Sequence, residues 1–531
     1  MHDRLFVAIS ILMYPAAAAV LERRSTPIQR AHVVALSVAA SLLPSPALAQ
    51  SVNVLNPGTD ILHEASKRQA QTASNPATTP RRRQLNQAPR PIGSLALAPT
   101  TSMLAAKRDG AHDVALKRTQ KQIDPFAKFE NLREKGMWLN IPGPADTIDQ
   151  DTGGVRSALA DLGIGYAGWT LNAIVDNQLP NAARSTIANQ LYMGQNPTFY
   201  SANIVTVTYD LSRFGISDGQ IVVGAEQQYW TWERPGPDRL GLNTLAYYQT
   251  FFDRKLELKL GYLRNQNEFA GAVTGAITGA TLFLLYQAGM SNNAAPRPAV
   301  NLKYNFDDRL YDKVSIQRSL NPDGQYAEIT ENPTGLNWST ANAGVLLIDE
   351  IGYKTKAAPG IPDTWLRAGF GFNNSHYRNV VDPARPRAND NHFYYVAADR
   401  QLWQSDARSA PSHGIYGGFS VMGAPPDVNR LSQYYELRLY ARGLFDSRPT
   451  DQIALVATNM VWSKFAVDAA LTKQQLAHRD TTAISATYTA HLAPGIYASV
   501  GLTYIHTPTS ITHAVETGHA LNLLVSTSIF F

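Results

Sequence analysis

Charged and aromatic side chains recur at every second position in several short stretches of this chain. In "QYYELRLYARG", Glu436, Arg438 and Arg442 share a face with Tyr434 and Tyr440, and Tyr435, Leu437, Leu439 and Ala441 take the other. "KLELKLGYL" sets Glu257 and Lys259 opposite Leu256, Leu258, Leu260 and Tyr262. "AVNLKYNF" sets Lys303, with Asn301 and Asn305, opposite Leu302, Tyr304 and Phe306. Glu226, Gln228 and Trp230 alternate in the same way, and Arg367 falls on the polar side of its own segment. Carboxylate and guanidinium groups make strong hydrogen bonds to hydroxyls, and an aromatic face covers the apolar side of a sugar ring. The two charge signs are nearly balanced, unlike the one-signed rings that select ions. This set suits a neutral polyhydroxylated solute. The plainer reading is that any water-filled interior needs polar residues merely to be wet.

Motifs for covalent chemistry are missing. There is no zinc-protease helix signature, nucleophile elbow or P-loop. "GFGFNN" has glycine spacing only and lies in a strand pattern. The 12 histidines are scattered, and His376, His392 and His413 come from separate segments that suit loops or rims rather than a metal. The chain has no cysteine, which removes disulfides, thiolate metal sites and thiol nucleophiles. A lipid-hydrolysing site on an outer wall would need a Ser–His pair there, and none can be picked out. The expectation is therefore no catalytic residue, no metal and no cofactor.

The elements that carry these residues are strands. No stretch of 18 apolar residues supplies a helical membrane span. What repeats from Ile164 onward is a segment of roughly ten residues with two-fold alternation, bounded by turn residues. Segments near 164–175, 200–211, 220–232, 241–251, 256–263, 297–306, 309–319 and 342–353 begin the series. Those near 363–375, 391–402, 413–422, 431–443, 452–462, 480–491, 496–505 and 518–531 complete it. Tight links such as "FFDRK", "NFDDR" and "HLAPG" alternate with long ones at 176–199, 264–296, 320–341, 376–390 and 506–517. Short turns on one side and long loops on the other predict an all-β fold, a transmembrane antiparallel up-and-down β-barrel of about 16 strands. Such a barrel leaves an aqueous channel.

A secreted β-sandwich or propeller would share the alternation. Two features favour the barrel. Aromatics crowd the strand ends, as at Tyr247, Tyr248, Phe251, Phe252, Tyr394, Tyr395, Phe530 and Phe531, where interfacial girdles belong. The chain also closes on "ETGHALNLLVSTSIFF", with Leu521, Leu523, Val525, Thr527, Ile529 and Phe531 on one face. A barrel must pair its last strand with its first to leave no edge in lipid, so its wall can contain the final residue. Terminal Phe531 also resembles the signal read by the barrel-assembly machinery. The 264–296 link, "EFAGAVTGAITGATLFLLYQAGMSNN" in part, is too apolar for a loop in water. It is expected to fold inward and narrow the channel or to pack on the wall, with a plain surface loop or an extra strand pair as the alternatives.

Charge is unevenly placed. Residues 50–135 carry 14 Lys and Arg against 7 Asp and Glu, and residues 151–531 carry 29 against 31. The body therefore lacks the basic surface that nucleic acid requires. "RRSTPIQRAHVVALSVAASLLPSPALAQ" has the layout of a secretory signal with cleavage near Ala49. The apolar stretch before it, broken by Pro15, reads as an over-long signal or a start displaced from Met13, rather than an anchor. The Gln-, Pro- and Arg-rich residues that follow, including Arg81-Arg82-Arg83, cannot bury a core and read as a disordered spacer. "ALKRTQKQIDPFAKFENLREKG" has helical character but is too short for a plug domain. The expected organisation is a signal peptide over 1–49, a disordered or partly helical periplasmic segment over 50–135, and a barrel over 136–531.

Three stretches in order carry a family resemblance. "TGGVRSALADLGIGYAGW" resembles the opening segment of the carbohydrate-selective outer-membrane porins. "YYQTFFDRKLELKLGYLRNQNEFAG" is similar to that family's Phe-Phe-Asp hairpin with its Asn-x-Glu-Phe tail. "GIYGGFSVMGAPPDVNRLSQYYELRLYARGLFDSRPTDQIALV" resembles its Pro-Pro, Gly-Leu and Arg-Pro-x-Asp region. The likeness runs from about Leu139 to Phe531. It departs in the polar 50–135 segment, in the apolar 264–296 link, and in "DQDTGG" where the family more often has an aspartate-tryptophan pair. It implies a sixteen-stranded channel passing glucose and other monosaccharides by diffusion, with arginines and acidic residues near its narrowest point. Small sugars, outer-membrane lipid and the assembly machinery are the implied partners. A general porin, or a barrel serving as an adhesin or secretion conduit, are the rival readings.

Overall fold

The structure, a computed structural model, describes residues 125–531 apart from 139–140, 181–183, 185–188, 234–235, 238, 272–282 and 293–294. The expected signal peptide and most of the expected spacer lie outside the described residues. Sixteen antiparallel strands close into one barrel in sequence order. They are β1 (Ile164–Asn177), β2 (Thr198–Asp210), β3 (Gln220–Trp230), β4 (Gly241–Phe251), β5 (Leu256–Leu263), β6 (Arg297–Asn305), β7 (Leu310–Arg318) and β8 (Val345–Thr355). The second half comprises β9 (Thr364–Asn373), β10 (Asn391–Asp406), β11 (Ala410–Gly423), β12 (Leu431–Arg442), β13 (Gln452–Trp462), β14 (Asp480–Ala493), β15 (Ile496–His506) and β16 (His519–Phe530). Every expected strand is present. Boundaries move by up to four residues, most at the β10–β11 hairpin, where two register shifts lengthen both strands.

Alternation decides which side chain meets which solvent. On β12, Leu437 and Leu439 are exposed on the outside while Tyr434, Glu436 and Arg438 are buried within. On β3, Ile221 and Val223 face out while Gln220, Val222 and Glu226 face in. A lipid-facing apolar band outside and a polar interior follow from this single period. The same period corrects the reading of the paired aromatics. Tyr247, Phe251, Tyr394 and Phe531 lie on the outer face, but Tyr248, Tyr395 and Phe530 point inward. Adjacent residues on a strand must take opposite faces, so only half of each pair can join a girdle.

The seam pairs β1 with β16 from Trp169↔Phe530 to Asn177↔Asn522. Beyond it, the Phe531 amide donates to Gly168 O at 3.0 Å and the Gly168 amide donates back at 2.6 Å. A side chain at Gly168 would overlap the Phe531 ring, so this close approach needs glycine.

Described residues on either side of 139–140, among them Leu132, Asp146 and Ile148, contact the short-turn ends of the strands. Before β1 the chain forms 3-10 turns over Ala127–Leu132, Pro144–Asp146 and Thr152–Gly154 and a short α-helix over Val155–Asp161. Asp146 accepts from the Gly495 amide at 2.8 Å and shares a hydrogen bond with Tyr497 on the β14–β15 turn. Short helices elsewhere, the longest Lys464–Thr472, sit in the long links, apart from a 3-10 turn over Leu211–Phe214 between β2 and β3.

Candidate functional site

The β5–β6 link turns back into the barrel. Its described residues Phe269, Ala270, Leu284, Leu285 and Met290 are fully buried. They pack in one cluster with the inward side chains Leu346, Ile348, Phe393, Tyr395, Met422 and Tyr434. Burying these apolar groups against the inner wall releases water, which is the force that keeps the link out of the aqueous mouth. The segment's apolar composition anticipated this.

Polar contacts then fix where the inner loop lies. On the β3–β6 side, Arg264 pairs with Glu226, which also accepts from Asn243 Nδ2 at 2.8 Å. Lys259 reaches Glu268 at 3.2 Å and Glu134 at 3.1 Å. Asn301 Nδ2 donates to Glu268 at 2.7 Å, and Asn265 Nδ2 donates to Gln317 at 2.7 Å. On the β7–β10 side, the Ala270 amide donates to Glu350 at 2.8 Å. Tyr395 and Tyr311 hydroxyls donate to the same carboxylate at 2.7 and 3.0 Å. Arg367 donates to the carbonyls of Ala270 and Gly271 while its guanidinium lies 3.8 Å from the centre of the Trp365 ring.

Asp399 on β10 joins the two arginines of the set. Its Oδ2 lies 3.1 Å from Arg367 and 3.0 Å from Arg438, and Arg438 also pairs with Glu436 and donates to Ser420 at 2.8 Å. Tyr434 donates to Glu436 at 2.5 Å. The ten residues singled out by alternation therefore divide. Glu226, Gln228, Lys259, Arg367, Glu436 and Arg438 are buried on the inner face, the first, third and fourth of them in contact with the inner loop. Trp230, Glu257, Lys303 and Arg442 stay half-buried on the inner face. Trp230 stacks on Tyr200 at 4.3 Å, Lys303 pairs with Glu257 at 2.6 Å, and Arg442 lies 5.4 Å from the rings of Tyr416 and Tyr440.

Several members of the site escape the sequence reading. Asp399, Glu350 and Lys313 stand on inward positions of strands, so strict alternation could have found them. Glu268, Glu134 and Trp138 stand outside any strand and carry no periodic signal. At the long-loop rim, Asp323 is clasped by Arg387 at 2.8 Å and Arg378 at 2.9 Å, tying the β7–β8 and β9–β10 links together. Burial alone would raise the Asp323 pKa, but the hydrogen bonds from these arginines outweigh it and hold the carboxyl below its ordinary value.

A closed, even-stranded antiparallel wall, apolar outside and polar inside, with a loop folded into its lumen, defines a porin. Residues 206–517 match the model of the carbohydrate-selective porin family, OprB family. The chain belongs to that family, and it is a sugar porin of the outer membrane. Among solved structures, the high-pH structure of Pseudomonas putida OprB aligns with a TM-score of 0.62 at 16% identity, covering 73% of this chain and 99% of that one. That likeness concerns the fold. A triple mutant of the Rh. blastica porin aligns at a TM-score of 0.41 and 8% identity, over 69% of this chain and all of that one, too distant to argue from. The comparison with curated proteins finds no match.

Proposed function

We propose that the barrel lets glucose and other monosaccharides diffuse passively past the inner loop into the periplasm, and that the half-buried groups Trp230, Glu257, Lys303 and Arg442 meet the solute. Supporting this is the pairing of many inward charges with opposite ones, as Glu226 with Arg264, Glu257 with Lys303, Lys259 with Glu134 and Glu268, and Arg367 and Arg438 with Asp399. Paired charges leave no single-signed ring to favour an ion, yet their remaining lone pairs and N–H groups can exchange hydrogen bonds with hydroxyls. Glu226, Lys259 and Arg367 act one step back, by holding the loop, and Gln228, Glu436 and Arg438 by bracing the wall beside it. Residues 1–49 would serve export with cleavage near Ala49, 50–135 would form a periplasmic segment, and Phe531 would address the assembly machinery. No nucleic acid and no enzymatic step enter this reading.

Single-channel recording in planar bilayers tests it. Conductance steps that glucose blocks and succinate does not are expected. Steps indifferent to both would describe a general porin. A folded barrel that passes no current would transfer the role to the loops, as in an adhesin or conduit.

A further inference from the structure

The chain just before the barrel does more than close the short-turn mouth. From Leu132 it climbs the inner wall strand by strand. Thr208 on β2 donates to Leu132 O. Gln220 on β3 donates to Arg133 O at 2.9 Å and accepts from the Lys135 amide at 3.2 Å. Gly136 then lies so close to β4 and β5 that an added Cβ would sit 3.2 Å from Lys259 Cδ and 3.4 Å from the Tyr248 ring. Its φ of +83° is the second reason that glycine suits this point.

The tip of this strap meets the inner loop directly. The Trp138 amide donates to Asn267 O at 2.9 Å, and the indole N–H donates to Gln266 O at 2.7 Å. Lys259 bridges the two segments by pairing with Glu134 of the strap and Glu268 of the loop. The Trp138 ring also lies 6.2 Å from that of Trp365 on β9. β5 and β9 are four strands apart, about 19 Å along the wall at the usual strand spacing, so strap and loop together span that sector of the lumen. A small polar cavity between them is lined by Glu134, Met137, Asn243, Lys259, Arg264 and Glu268. Arg264 Nε, buried there, has no hydrogen-bond acceptor among the described residues.

We propose that the strap Arg133–Trp138 is a second wall of the constriction, holding the inner loop from the short-turn side and setting the width and sugar selectivity of the passage through Glu134 and Trp138. A seal confined to the mouth would need neither a tryptophan bonded to the inner loop nor a carboxylate sharing its lysine. The inference rests on the channel reading, and the unaltered protein serves as the control for that reading.

Full-length Trp138→Ala and Glu134→Gln proteins are compared with the unaltered one in planar bilayers, with folding confirmed by heat-modifiable gel mobility. Each is expected to raise single-channel conductance, Trp138→Ala by about twofold as a bulky side chain leaves the narrowest section, and to weaken glucose block. Trp138→Phe, which keeps the ring and loses the N–H donor, stands in should the alanine protein not fold. Because the chain has no cysteine, Met137→Cys offers one target to a charged aqueous thiol reagent, and loss of current on labelling is expected. Unchanged conductance and glucose block in both variants, with Met137→Cys current indifferent to the reagent, would overturn the proposal while leaving the sugar channel intact. An unaltered protein that glucose does not block would instead remove the reading beneath it.

Discussion

Asp399 accepts from two guanidinium groups at once, and both arginines are almost fully buried. Asp399→Asn would leave Arg367 and Arg438 as two close positive charges with one carboxylate, Glu436, held by Arg438. Removing one partner of a buried pair costs about 3–5 kcal/mol, so a clear fall in the urea midpoint of the barrel is expected. An unchanged midpoint would mean that water screens the cluster. At the long-loop rim, His478 lies 3.2 Å from His513, with its Nε2 2.9 Å from Thr509 O. Burial first, and His513 second, push its pKa down to about 4 from an ordinary value near 6.5. Between those two values a detached loop binds a proton that the packed loop excludes. The packing of the 463–479 link is therefore constant above pH 6.5 and weakens as pH falls toward 4. Limited proteolysis of that link should quicken over this window, and His478→Gln should flatten the response.

At the scale of elements, β9 and its neighbours show how a wall makes room for a loop. Added Cβ atoms at Gly369 and Gly371 would overlap the rings of Tyr395 and Phe393 on β10. Those two rings line the cluster that receives Phe269 and Leu284. Gly371→Val would push Phe393 into the inner loop, an overpacking that costs about 1–3 kcal/mol. The expected readout is a lower unfolding midpoint together with noisier single-channel current. Steady current would show that the loop is held by its polar pins alone.

The whole molecule depends on closure, because an open strand edge cannot be satisfied in lipid. The Gly168–Phe531 contact extends the β1–β16 ladder by one further residue pair. Phe531→Ala and Gly168→Val should each lower the yield of the fast-migrating folded form on unheated gels, the first by removing the ring and the second by displacing it. Equal yields would assign closure to the ladder alone.

The sequence already carries sixteen strands, the face of most strand residues and the alternation of short and long links, because a period of two and turn chemistry act within one strand or hairpin. It also placed Glu436, Arg438 and Lys259 inside the wall and marked the 264–296 link as too apolar for water. It took the folded chain to show that Arg438 shares Asp399 with Arg367, that Glu268 and Glu134 converge on Lys259, and that Trp138 meets the inner loop. Most of those contacts join residues tens to more than a hundred positions apart, and several partners stand outside any strand. They arise only once barrel closure fixes which segments share the same volume.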